Sequence, residues 1–349
     1  MVYMKGIFEI MAVLGIIILL LSCGENKVKP TNYNNTNSIN PVTLYNKNAE
    51  NLSLTLIKTL EDHYLYVFYV SFSPDERLIA SGSADKTVII NDCSSWKVVN
   101  VMKENYYDLW GIPVKFSPDG NYIVYGSYET LKIVSVRNFK EITNAYAHKK
   151  GIQSLDISPN GQYIISAGVD GQLRVWGVPD LKPITNVLGH DKEVWSTCIS
   201  ADGKFAVSGG EDGFLKVWKF PSLELQSAVK YHQKSIEYVS ISPLQKYILC
   251  ASADSTISIW KWGEYQAPYR VLTGHKGSVP VAIFSSNENL IFSGGQDDCI
   301  DIFDIEKGTM IYNLKAHNGD ILTLCLSPDG KFLASGSRDR TVKVWQFNK

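Results

Sequence analysis

The chain has 349 residues and only six histidines, and each histidine stands a fixed distance ahead of a small side chain and an acid. His63, His148, His190, His232, His275 and His317 are followed after 18 residues by Ser81, Ser166, Ser208, Cys250, Ser293 and Ser335. After 22 residues come Asp85, Asp170, Asp212, Asp254, Asp297 and Asp339. A hydroxyl, an imidazole and a carboxylate are the groups of a nucleophile, its base and the acid that orients the base. Six equivalent sets along one chain point away from that use. Aspartates in equivalent turns of separate units cannot pair as general acid and base, and in Asp297-Asp298 and Glu211-Asp212 one acid already fills the turn position. No phosphate-cradling glycine loop or Cys-x-x-Cys spacing occurs. The expectation is no catalytic residue, no metal and no cofactor.

Such a set needs elements to hold it, and the sequence around each copy supplies them. Leu326 to Trp345 reads LSPDGKFLASGSRDRTVKVW: an alternating run, a turn at Ser327-Pro328-Asp329-Gly330, a strand-like segment, a turn at Asp339 and a second alternating segment. Strand, turn, strand, turn, strand is an antiparallel meander. Twenty-eight residues after each histidine stand Asn91, Trp176, Trp218, Trp260, Phe303 and Trp345. A seventh copy has Tyr107 for His, Tyr125 for Ser, Glu129 for Asp and Ser135 for Trp, and Pro113 in its inner strand suggests a bulge there. The seven starts lie 41 to 44 residues apart. That period, with about four short strands per copy, predicts an all-β fold, a seven-bladed β-propeller of four-stranded antiparallel blades. Ser53 to Leu60 (SLTLIKTL) precedes the first copy and the last copy lacks an outer strand, so the N-terminal strand is expected to pair into the last blade and close the ring.

The unit resembles the WD repeat, with Gly189-His190, Gly274-His275, Ala147-His148 and Ala316-His317, the Asp-bearing turn and the strand-ending Trp. Trp is followed by Gly177, Lys219, Lys261 and Gln346 instead of the family's Asp. The resemblance implies a hydrogen-bonded chain inside each blade, carried here by His148, Ser166, Asp170 and Trp176, by His190, Ser208, Asp212 and Trp218, and by His317, Ser335, Asp339 and Trp345. It also implies that partners dock on the face holding the His and Asp turns, through residues three and five places after His and one before Asp. From those positions the candidate partner-binding residues are Tyr66, Phe68, Trp110, Tyr128, Glu193, Trp195, Glu211, Leu322 and Arg338. Large aromatics among them suit a protein or peptide hot spot. Lys115 and Asp156, expected to line the channel, are the only support for a rival reading as an enzyme.

Upstream of the repeats the composition changes. Ile10 to Leu21 is an apolar run of twelve residues, too short to span a bilayer comfortably. It ends in Leu20-Leu21-Ser22-Cys23, which resembles the bacterial lipobox: residues 1–22 read as a signal peptide and Cys23 as the lipidated residue. Residues 23–52 read as a tether, rich in Asn, Thr, Ser and Lys, and residues 53–349 as the propeller. Gly24, where some bacteria use Asp for inner-membrane retention, leans towards an outer membrane. Cys93, Cys198, Cys250, Cys299 and Cys325 fall in separate copies and read as buried thiols. A net charge of −1 gives no reason to expect nucleic acid. Together these readings give an exported, lipid-anchored, monomeric scaffold of the cell envelope. The alternative is a structural subunit of an envelope assembly using another face.

Overall fold

A computed structural model describes residues 52–105 and 111–348. The expected signal peptide, Cys23, most of the tether, Tyr107 and Trp110 lie outside the described residues. Seven four-stranded antiparallel sheets form the ring. Blade 1 runs from its inner strand β2 (Val67–Phe72) through β3 (Leu78–Ser83) and β4 (Thr87–Asp92) to the outer β5 (Val98–Lys103). Blade 7 is completed from the other end of the chain: β1 (Ser53–Leu60) pairs with β28 (Val342–Asn348), from Ser53↔Asn348 to Leu60↔Val342. The closing strand expected from SLTLIKTL is the one observed.

The core lies between blades. Seven apolar clusters each draw on two neighbouring blades, as Val88 and Ile90 meet Ile112 and Val114, or Val342 and Val344 meet Val67 and Val70. This is why the middle strands β3 and β4 are buried along nearly their whole length, small polar residues included, while the outer β5 is mostly exposed. Close approach of the sheets excludes side chains at particular sites. A Cβ on Gly82 would lie 1.9 Å from the carbonyl oxygen of Ile112 in the next blade.

Blade 2 departs from its sisters in two ways that correct the sequence reading. Pro113 makes no bulge: β6 (Val114–Phe116) simply starts after it and pairs in register with β7 (Tyr122–Ser127). Without an N–H, proline cannot donate to the ladder, although its carbonyl takes the Gly126 N–H at 2.9 Å, and the strand is cut to three residues. The following turn is also one residue shorter. Ser127 pairs directly with Thr130 around Tyr128 (φ 52°) and Glu129, whereas blade 3 has five residues between Ala167 and Leu173. The Asp position is therefore deleted, and Glu129 does not replace it. Its carboxylate accepts the Lys150 N–H of blade 3 at 2.9 Å. The frame beyond is shifted by one, so that Val134, paired with Ile123, occupies the Trp position and Ser135 does not.

Candidate interaction face and the polar hubs beneath it

The face holding the His and Asp turns is set by a repeated bulge. In blades 1, 3, 4, 5 and 7 the inner strand skips one residue of register: Phe68, Gln153, Trp195, Glu237 and Leu322 are the unpaired extra residues. A bulge re-aims the side chain it carries, which takes these five out of the in-and-out alternation of the strand. Backbone bonds then join the other two candidate positions. Ala84 N–H reaches Tyr66 O at 3.0 Å, Glu211 N–H reaches Glu193 O at 2.9 Å, and Arg338 N–H reaches Asp320 O at 2.9 Å.

Two chemically distinct sectors result. Where blade 7 meets blade 1, Tyr66 and Phe68 sit edge-to-face with centroids 6.5 Å apart. The Arg338 guanidinium lies 5.6 Å from the Tyr66 ring and 3.1 Å from the Asp320 carboxylate. On blades 4 and 5 the face is acidic, with Glu193, Glu211 and Glu237. Lys192 pairs with Glu211 at 3.0 Å, and burial with the nearby Glu211 charge pushes the Glu237 carboxyl above its ordinary range. Tyr128 packs at the blade 2–3 boundary near Gly151. Tyr66, Phe68, Tyr128, Glu193, Trp195, Leu322 and Arg338 are half-buried and Glu211 is exposed.

Beneath the face each blade holds a polar hub. In blade 4, His190 Nδ1 lies 2.9 Å from Asp212, His190 Nε2 lies 2.8 Å from Ser208 Oγ, and Trp218 Nε1 donates to the same Oγ at 2.9 Å. Blade 3 does the same with His148, Asp170, Ser166 and Trp176, and blade 7 with His317, Asp339, Ser335 and Trp345. Burial alone would raise Asp85 and Asp297, but hydrogen bonds from His63 and Thr87, and from His275 and Lys276 N–H, hold both at about 2. Two hubs lay beyond sequence reasoning. In blade 5, Ser258, on the next strand and two residues before Trp260, takes the serine's place: it accepts the Trp260 N–H at 2.9 Å and meets His232 Nε2 at 2.8 Å, while the Cys250 thiol touches the hub through the Ser258 and Trp260 side chains. In blade 2, Glu104 replaces the histidine: its carboxylate takes Tyr125 O–H at 2.8 Å, Ser127 O–H at 2.6 Å and Lys132 Nζ at 2.9 Å. A Ser two residues before Trp, and an acid three residues before Tyr107, were the available signals.

In the channel, Lys115 Nζ meets Asp156 Oδ1 at 2.6 Å, and Asp156 Oδ2 accepts the Ile199 N–H of blade 4 at 2.7 Å. This pair ties blades 2, 3 and 4 together. Burial pushes the Cys93, Cys198 and Cys250 thiols up to about 12, so they stay protonated. Among the described residues no group of three His, Cys, Asp or Glu converges as a metal site.

The family described as WD domain, G-beta repeat matches residues 54–92, 139–177, 181–219, 224–261, 266–304 and 308–346. Residues 93–138, with most of blade 2, fall between the first two matches. Relatives are similar over short stretches. A bromodomain and WD repeat-containing protein of Dictyostelium discoideum is 31% identical over 78 residues, which is 22% of this chain and 4% of that protein. The U3 small nucleolar RNA-interacting protein 2 of Homo sapiens is 30% identical over 98 residues, 24% of this chain and 21% of that protein. The guanine nucleotide-binding protein subunit beta-5b of Danio rerio is 39% identical over 62 residues, 18% of this chain and 16% of that protein. The chain thus spans about a fifth or less of the length of each.

Proposed function

The chain belongs to the WD domain, G-beta repeat family, and we propose that it is a non-catalytic scaffold that binds a protein or peptide on the face of the His and Asp turns. The observation that carries this reading is the grouping of Tyr66, Phe68 and Arg338 at the blade 7–1 boundary with the acidic Glu193, Glu211 and Glu237 elsewhere on the same face. Aromatic rings with a guanidinium are the anchors of protein hot spots, and a separate acidic sector fixes the partner's orientation. Against catalysis stands the commitment of every histidine to a hub: each Nδ1 lies within 3.0 Å of a carboxylate and each Nε2 within 2.8 Å of a serine. One relative is RNA-interacting by name, but a net charge of −1 supports a protein partner for this chain.

In this reading Cys23 carries the lipid that ties the propeller to a membrane of the cell envelope, and residues 24–52 are the tether. Several acyl chains at about 0.8 kcal/mol per buried CH₂ give a stable anchor. Cys23→Ala should move the protein from the membrane to the soluble fraction; retention in the membrane would refute the lipid anchor. For docking, a photo-crosslinker placed at Tyr66 should capture a discrete partner, and Phe68→Ala with Trp110→Ala should abolish the adduct.

A second reading rests on the outer edge of blade 1. Val98, Val99 and Val101 are 40%, 45% and 40% exposed on β5, an edge strand fit for β-addition by an assembly partner. A crosslinker at Val101 that captures the partner while one at Tyr66 captures nothing would transfer the function to that edge.

A further inference from the structure

The histidines do not share one protonation environment, and blade 6 stands apart. In blades 3, 4, 5 and 7 a tryptophan Nε1–H, which can only donate, points at a serine Oγ from 2.9 Å. That leaves the serine's own proton for histidine Nε2, and the imidazole's single proton on Nδ1 facing the aspartate. Burial holds His148 and His317 below the usual imidazole range although Asp170 and Asp339 pull the other way, as neutral rings require.

In blade 6 Ser293 Oγ lies 2.7 Å from His275 Nε2, but no tryptophan donates to that Oγ, so the serine can accept a proton from the ring instead of giving one. Phe303 stands in the Trp position and offers no proton. Asp301, opposite Ser293 in the sheet, brings in a carboxylate that is 0% exposed. One of its oxygens accepts the Asn313 amide; the other, Oδ2, has no hydrogen-bond partner among the described residues and lies 3.6 Å from His275 Nε2. Two carboxylates therefore flank one imidazole, with Asp297 on Nδ1 at 2.9 Å. The other titratable groups nearby are the Cys299 thiol, raised by burial and Asp297, and Asp298, which pairs with Lys315 at 3.7 Å. A carboxylate buried with an unpaired oxygen is costly unless a proton or a cation stands beside it.

We propose that blade 6 holds one proton more than the tryptophan-bearing blades, carried on His275 Nε2 between Ser293 Oγ and the Asp301 carboxylate, and that this buried ion pair makes the blade 6 loop the pH-responsive part of the candidate interaction face. Loss of the proton leaves two carboxylates against one neutral ring. The loop that must yield carries Lys276, whose N–H bonds Asp297 at 2.8 Å, and Ser278, whose carbonyl takes the Gln296 N–H at 3.0 Å. The sign is opposite to that of Asp85 or Asp297. The pair binds its extra proton because a buried carboxylate stands beside the ring, and burial draws the Asp301 carboxyl in the same direction, so the contribution of the pair to stability is full at low pH and is lost as pH climbs and the proton leaves.

The test is long-range ¹H–¹⁵N spectroscopy of the full chain with ¹⁵N-labelled histidine. Near neutral pH His275 should carry protons on both ring nitrogens, and His148, His190, His232 and His317 on Nδ1 alone. In Asp301→Asn, His275 should revert to the Nδ1–H form. A wild-type His275 that stays neutral from about pH 5 to 8 overturns the proposal, and so does one that stays doubly protonated in Asp301→Asn. Should that variant not fold, the wild-type spectrum alone decides. Raising the pH until the second proton leaves should also shift the amides of Lys276, Ser278 and Gln296; unmoved amides would sever the loop from the pair.

Discussion

Blades 2 and 4 solve one problem with different chemistry. Both must tie the connection entering the blade to its two middle strands through a buried polar set. Blade 4 uses His190, Asp212, Ser208 and Trp218; blade 2 uses Glu104, Tyr125, Ser127 and Lys132. A lysine at one shared position links the two designs. Opposite Ser208, Lys216 donates to the Gly189 carbonyl at 2.7 Å; opposite Tyr125, Lys132 donates to Glu104. The fold therefore demands a satisfied hub at that place, not an imidazole. A carboxylate–ammonium pair meets the demand once the Asp turn has been shortened away.

Acid should give the largest effect. Asp85 and Asp297 are held at about 2, and their partners lower Asp170, Asp212, Asp254 and Glu104. Depressed carboxyls stabilise the fold above their unfolded pKa of about 4 and lose that contribution as pH falls through the folded value. Circular dichroism should show cooperative unfolding between about pH 4 and 2, and a transition well above pH 4 would contradict these hubs. Next, Glu104→Ala should cost about 3–5 kcal/mol in urea unfolding, because Lys132 and two hydroxyls lose their acceptor together. Should it cost no more than a surface change, the blade 2 hub is not structural. Trp218→Phe should cost about 1–3 kcal/mol, chiefly through the lost donor to Ser208. The mildest comparison is inside blade 5. Ser258→Ala should cost about 1–2 kcal/mol and Cys250→Ser less than about 1, and the reverse order would restore position 250 to the hub.

Most of the architecture was legible because it repeats. Seven copies of one period specify seven blades, and the alternation of SLTLIKTL marks a strand without a partner of its own. What escaped was local. A single-residue deletion at Tyr128-Glu129 moves Val134 into the Trp position, and spacing alone cannot show where in a copy a residue has gone missing. Ser258 escaped for a related reason: it reaches the same point in space from the adjacent strand, since Cys250 and Ser258 face each other across the ladder. Equivalence in sequence and equivalence in space part company there. On the face of the His and Asp turns the period alone could name positions, but the bulge that turns Phe68, Trp195 and Leu322 out of their strands was not legible, because a bulge leaves no mark in composition.

Closure by β1 also decides how the propeller bears mechanical load. Ser53 meets Asn348 at the end of the blade away from the Asp339 turn, and Leu60 meets Val342 next to that turn. Tension entering at Leu52 and resisted at the face of the Asp339 turn runs along β1, so it shears the β1–β28 ladder and loads its bonds together instead of peeling them one at a time. The strand that seals the ring is also its clasp against a pull.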